Sequence, residues 1–142
     1  MTTKIENRKL KYNYFYTDEY KAGMLLKGSE VKAIRQRKAN ISEAYCIFVG
    51  NELYIKNMHI TNSNILSYGH EELRDRKLLL KKKELKKIKK YAEIKGNTII
   101  PKCVLIPDNG YIKIMICLCK GKHNYDKRNS IKQRDLDKLE NE

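Results

Sequence analysis

No stretch of this chain approaches the ~20 consecutive apolar residues that a membrane-spanning helix needs, so no such span is expected. Met1-Thr2-Thr3-Lys4 leads into polar residues rather than an apolar run, which predicts the absence of a signal peptide. Cys46, Cys103, Cys117 and Cys119 lie in apolar runs and lack C-x-x-C spacing. They read as buried free thiols in a reducing cytosol, not as metal ligands. His59 and His70 have no Cys or acidic partner at ligand spacing, and His123 stands in a basic strip, so no metal site is expected. A glycine-rich phosphate loop, a G-x-S-x-G elbow and a pair of carboxylates in an apolar setting are all missing. The expectation is a protein without catalytic residues and without a cofactor.

Acidic residues are scarce too, and this shortage is the informative one. Lys and Arg number 31 against 17 Asp and Glu, a formal net charge of +14 over 142 residues. Like charges repel in a compact chain, so the excess adds nothing to stability. It points to a polyanionic partner, nucleic acid first and an anionic membrane surface second. At this length the chain fits one domain that buries roughly two-thirds of its unfolded surface.

Hydrophobic alternation predicts six short strands. Residues 11–16 form the first, with Tyr12, Tyr14 and Tyr16 on one face and Phe15 on the other; residues 20–26 form the second. Gly28-Ser29 stops it and opens a helix over 29–35, with Ser29 as N-cap. Residues 45–49 and 52–60 make a hairpin around Gly50-Asn51, which tolerates the positive φ such turns demand. Between 73 and 92 there is neither Gly nor Pro, and Leu78, Leu85, Ile88 and Ala92 recur at helical spacing, predicting a helix that Gly96-Asn97 ends. Residues 98–106 and 111–119 pair across Pro107-Asp108-Asn109-Gly110. Ile112, Ile114, Ile116 and Leu118 give the last strand a core face, and Pro101 marks an edge or a bulge in its partner. The expected fold is mainly β with helical inserts: a six-stranded oligonucleotide-binding-type barrel over 1–121, with an open sheet backed by helices as the rival. Residues 122–142 form a basic strip and a polar tail.

Three clusters stand out. Residues 74–90 carry ten basic residues against Asp75 and Glu84 alone, too few acids for i,i+4 pairing to balance. Some of these lysines are expected to contact RNA phosphates; the others form the solvated face of a helix whose Leu and Ile pack on the barrel. Glu30, in Gly28-Ser29-Glu30-Val31-Lys32, has two readings. It complements a helix dipole, or it accepts hydrogen bonds from RNA bases or a 2′-hydroxyl, since a carboxylate repels phosphate. Gly121-Lys122-His123-Asn124-Tyr125-Asp126-Lys127-Arg128 is either a solvated linker or a basic strip with one stackable ring.

Together these residues resemble the SsrA-binding protein family, also called small protein B, over about residues 5–135. The resemblance rests on Asn7-Arg8-Lys9, Ala22-Gly23, Gly28-Ser29-Glu30-Val31-Lys32, Asn57-Met58-His59-Ile60, Arg74-Asp75-Arg76-Lys77-Leu78-Leu79-Leu80, Gly96-Asn97-Thr98-Ile99-Ile100-Pro101, and Gly121-Lys122 followed by Asp126-Lys127-Arg128. It implies a cytoplasmic, monomeric, non-enzymatic adaptor that clasps the tRNA-like domain of transfer-messenger RNA. Elongation factor Tu delivers the shared RNA, and the protein fills the place of the missing anticodon arm in the decoding centre of the small ribosomal subunit. The implied RNA-binding set is Lys9, Glu30, Lys32, Arg35, Arg74, Arg76, Lys77 and Lys122. Tyr125, Asp126, Lys127 and Arg128 would work near the decoding centre. The alternative is a general single-strand RNA binder or ribosomal protein on the same barrel.

The chain departs from that family at three places. Tyr125 stands where many relatives have His, which keeps a ring but not a pH-sensitive donor. Arg37 occupies a usual glycine position, where a positive φ would carry strain. The segment after Arg128 is short and slightly acidic. Ser130 and Gln133 fit a capping box there, and Leu136 and Leu139 share a face. An isolated helix this short is marginal in water, so the tail is expected to be disordered when free and helical on the ribosome.

Overall fold

A computed structural model describes residues 2–62 and 69–121. In chain order its elements are β1 (Thr2–Glu6), α1 (Leu10–Asn13), β2 (Tyr14–Met24), α2 (Gly28–Arg35), β3 (Ala39–Asn40), β4 (Tyr45–Val49), β5 (Glu52–Lys56), β6 (His59–Ile60), β7 (Arg76–Leu79), α3 (Lys82–Ala92), β8 (Asn97–Pro107) and β9 (Lys113–Gly121). All strand pairings are antiparallel. The order β8-β4-β5-β7-β2-β9 returns to β8, so six strands close into a ring. Closure leaves no free edge within that ring. β1 is added along β8, while β3 and β6 pair separately.

Alternation explains what fills the ring. Ala22 and Met24 of β2, Leu53 and Ile55 of β5, Leu78 of β7, and Ile114, Ile116 and Leu118 of β9 all point into one core. α2 docks on it through Ala33 and Ile34, and α3 through Ile88, with Leu85 and Tyr91 half-buried beside it. β9 is also buried on its other face, where Cys117 and Cys119 pack with Leu10 and Ile100 under α1. All four cysteines are free and buried. Burial pushes the Cys117 thiol up to about 11 and Cys119 to about 12. These thiols are inert packing groups.

Several expected features are present. The β4–β5 hairpin turns through Gly50-Asn51, with Val49 opposite Glu52 and positive φ at Gly50. Pro101 sits where the β8–β9 register shifts. α2 covers the expected residues, although Lys27, not Ser29, is its N-cap.

Other elements depart from the sequence expectation. The two strands at 11–16 and 20–26 are one strand, β2, with an irregularity between Tyr16 and Glu19. Tyr12 belongs to α1 instead, because Asn7 turns the chain: its Nδ2 donates to the Pro101 carbonyl (2.9 Å) and its Oδ1 accepts from the Lys9 amide (3.1 Å). The strand expected over 52–60 breaks at Asn57, whose φ of 59° redirects β6 toward β3. The helix expected over 73–92 begins only at Lys82. Its first part is β7, which pairs with β5 and β2 and thereby closes the ring. Leu78 fits either periodicity, and the need for a sixth paired strand decides.

Candidate nucleic-acid interface

Glu30 lies in the first turn of α2 and is fully buried. Its Oε1 accepts from the Lys27 amide (2.8 Å) and from Arg74 Nη2 (2.6 Å). Its Oε2 accepts from Arg76 Nε (2.6 Å). Arg76 is also fully buried, and its remaining donors reach the carbonyls of Met58 (2.5 Å), Glu71 (3.2 Å) and Glu72 (3.2 Å). Beside this triad His70 Nε2 donates to the Ile60 carbonyl (2.8 Å), while Nδ1 accepts from the Ser29 hydroxyl (2.8 Å). Burial alone would raise the Glu30 carboxyl. The Arg74 hydrogen bond, the Lys27 amide and Arg76 outweigh it and hold the group below its ordinary value. Three of the resembling motifs thus meet in one buried polar lock joining α2, β6 and β7.

The sequence reading places Glu30 and Arg76 among the RNA-contacting residues, and in the structure of the chain alone both side chains lie inside the protein. Both carboxylate oxygens are committed inside the protein, and Arg76 has no exposed surface. Arg74 serves the same lock and also donates to the Leu25 carbonyl (3.3 Å). Through these bonds they fix the start of the helix that carries Lys32 and Arg35.

The other expected contacts divide by what already holds them. Lys32 is exposed on α2. Arg35, also exposed, donates to the carbonyls of Pro107 (2.8 Å) and Gly110 (2.9 Å), pinning the β8–β9 turn. Lys9 is ion-paired with Glu43, and Lys77 with Glu52 (3.1 Å). Lys122, Tyr125, Asp126, Lys127 and Arg128 lie outside the described residues, as do Ser130, Gln133, Leu136 and Leu139 of the expected tail helix.

α3 presents the densest positive face. Lys82, Lys83, Lys86, Lys87 and Lys90 are exposed, and among the described residues none is ion-paired with an acid. The helix's one carboxylate, Glu84, is used at its start, where Oε1 accepts from the Lys81 amide (3.1 Å). Lys89 is different: it reaches back to the Gly50 carbonyl (3.2 Å) and Asn51 Oδ1 (2.8 Å), tying α3 to the hairpin.

The sequence reading missed a second surface. Tyr12, Phe15 and Tyr16 are exposed near the end of β9, with the Lys102 ammonium 5.8 Å from the centre of the Tyr16 ring. Alternating tyrosines had suggested only a strand face. The placing of Arg8 and Lys11 just before these rings was the available signal. Among the described residues, no group of three or more His, Cys, Asp or Glu is placed to hold a metal ion, and no helix is long and apolar enough to cross a membrane.

Comparison with known proteins adds an independent line. A family model described as SmpB protein matches residues 4–142. An SsrA-binding protein of Cytophaga hutchinsonii is 51% identical over 132 residues, covering 92% of this chain and 86% of its own length. One from Christiangramia forsetii is 46% identical, covering 97% and 91%. A chain solved in work on tmRNA–SmpB at the centre of the bacterial ribosome matches with a TM-score of 0.70 at 36% identity, covering 84% of each chain.

Proposed function

The chain belongs to the SmpB protein family, and from that membership and its cationic surface we infer that it is an RNA-binding adaptor of ribosome rescue. It binds the tRNA-like domain of transfer-messenger RNA and brings it to stalled ribosomes for trans-translation. It works in the cytoplasm by binding rather than by catalysis, as a monomer, and meets elongation factor Tu through the shared RNA. Tyr125, Asp126, Lys127 and Arg128 act at the decoding centre of the small subunit, with Lys122 on the RNA.

The observation that carries this reading is the set of exposed lysines on α3, unpaired among the described residues, with Lys32 on α2, displayed by a scaffold in which Glu30 and Arg76 are already paired inside the protein. Free cations on a rigid surface release counterions from a polyanion, and the affinity then falls steeply with salt. Rigidity lets the same cations prefer one folded RNA over others. The buried Glu30 lock supplies it on the α2 side.

A competition measurement tests the reading. At ~150 mM salt the tRNA-like domain should displace a random RNA of equal length, because purely electrostatic affinity has largely been lost there. Equal competition by the two RNAs would leave a general RNA binder in its place.

A further inference from the structure

Arg35, the last residue of α2, grips the β8–β9 turn on both sides of one asparagine. Its Nη1 donates to the Pro107 carbonyl (2.8 Å) and its Nη2 to the Gly110 carbonyl (2.9 Å). Asp108 and Asn109 stand between these two anchors, and both are exposed. Asn109 is the one asparagine of the chain that a glycine follows. Gly110 takes φ 107°, and a Cβ built there would meet nothing closer than Pro107 Cγ at 4.0 Å. The approach to its amide nitrogen is therefore open. Among the described residues that amide donates no backbone hydrogen bond, and the Asn109 side chain makes none.

Other asparagines are held. Asn7 Nδ2 donates to the Pro101 carbonyl (2.9 Å) and Asn97 Nδ2 to the Tyr91 carbonyl (3.1 Å), while Asn40 Oδ1 accepts from the Ser42 amide (2.8 Å). An unheld side-chain amide beside an unhindered backbone nitrogen, at the tip of an exposed turn, is the arrangement in which an asparagine cyclises on its own chain. The Gly110 nitrogen attacks Asn109 Cγ. The N–Cγ bond forms, the Cγ–Nδ2 bond breaks, and ammonia leaves with the proton that the backbone amide gives up. Water then opens the cyclic imide at either carbonyl. One opening leaves an aspartate; the other leaves an isoaspartate, with the main chain rerouted through Cβ and Cγ. Neither needs an oxidant or a cofactor. The Arg35 guanidinium favours the anionic nitrogen that attacks, and Asp108 opposes it.

We propose that Asn109 is a self-modification site, whose conversion to aspartate or isoaspartate through the Gly110 nitrogen releases the grip of Arg35 on the β8–β9 turn. Each product puts a carboxylate beside Asp108 in place of a neutral amide. The isoaspartate also lengthens the main chain between the two carbonyls that Arg35 holds. A guanidinium prefers carboxylates to neutral carbonyls, so Arg35 leaves its anchors and its charge is neutralised. The protein's attraction for a polyanion falls accordingly. This last consequence rests on the RNA-binding reading above; the modification does not.

The test is to age the full chain in warm, mildly alkaline buffer and map its peptides by mass spectrometry. The peptide holding Asn109 should gain the mass difference between a hydroxyl and an amino group and accept isoaspartate-specific methylation, while those holding Asn7 and Asn97 stay unchanged. Asn109→Gln, whose longer side chain closes such a ring poorly, should remain unmodified. The aged chain and a fresh Asn109→Asp chain should bind the tRNA-like domain roughly 2- to 10-fold more weakly at low salt, with a salt slope lower by up to about one and an unchanged melting temperature. In an Arg35→Ala background the Asn109→Asp effect should largely disappear, because the two act through one group. An unaltered Asn109 peptide after ageing would overturn the modification. Conversion without loss of affinity, or an equal Asn109→Asp effect with and without Arg35, would overturn its action on that residue. Failure of the fresh wild-type chain to prefer this RNA would remove the RNA reading, and the mapped peptide would still decide the modification.

Discussion

Glu30 is one carboxylate between two guanidinium groups, buried away from the protein surface, and that balance makes it sensitive to any loss. Replacing a buried ionic cluster with apolar residues is often tolerated; deleting one partner strands the others. Glu30→Ala leaves Arg74 and Arg76 uncompensated and should lower stability by about 3–5 kcal/mol, read in thermal or urea unfolding. The folded-state pKa of Glu30 is depressed, so its stabilisation is complete above the ordinary 4.5 and disappears as pH falls through the lower folded value. The melting temperature of the wild-type chain should therefore fall below about pH 4.5 more steeply than that of Glu30→Gln, which carries no proton linkage at this site. A Glu30→Ala chain with unchanged stability but lost RNA affinity would instead mean that the carboxylate reads RNA directly. The Gly28-Ser29-Glu30 motif was visible in the sequence, but its role was not. Its partner Arg76 lies 46 positions away, and a run of basic residues gives no sign that one of them is fully buried.

The helices show where local rules held and where they gave way. α2 ends in a Schellman-type cap: the Arg37 amide donates to the Ile34 carbonyl (2.8 Å) and the Lys38 amide to the Ala33 carbonyl (2.9 Å). Arg37 takes φ 61° at the position where glycine is preferred. Its side chain recovers one bond, to the Lys4 carbonyl (2.9 Å). Since that bond is exposed, the backbone effect should prevail, and Arg37→Gly should stabilise the protein by about 0.5–1 kcal/mol in denaturant titration. β9 and the Gly50-Asn51 hairpin were legible because alternation and turn chemistry agree with the final pairing. β7 was not, because Leu78 satisfies both periods and only closure of the ring selects the strand. α3 survives as the shorter basic helix that remains, anchored by Ile88. Replacing Lys82 and Lys86 with Ala should lower the slope of log affinity against log salt by about one to two at unchanged melting temperature. An unchanged slope would place α3 away from the RNA.

For the molecule as a whole, the distribution of charge separates two tasks. Residues 122–142 contain six basic and five acidic side chains, so nearly all of the +14 excess belongs to the part before them. Electrostatic attraction for RNA depends on that part, as does the closed ring that holds the exposed lysines in place. β9 completes its pairing with Gly121 opposite Tyr14, so a chain ending at Gly121 keeps every strand of the ring. The last 21 residues add almost no net charge, yet they carry Tyr125 and Asp126-Lys127-Arg128, which the proposed function assigns to the decoding centre. Deleting residues 122–142 should therefore change affinity for the tRNA-like domain by less than about tenfold, the loss of Lys122 being the main electrostatic change. It should leave the melting temperature unaltered and abolish peptide tagging in a reconstituted translation reaction on stalled ribosomes. Loss of RNA affinity together with tagging would assign the segment to the binding domain, and the division of labour between a charged barrel and a nearly neutral extension would fail.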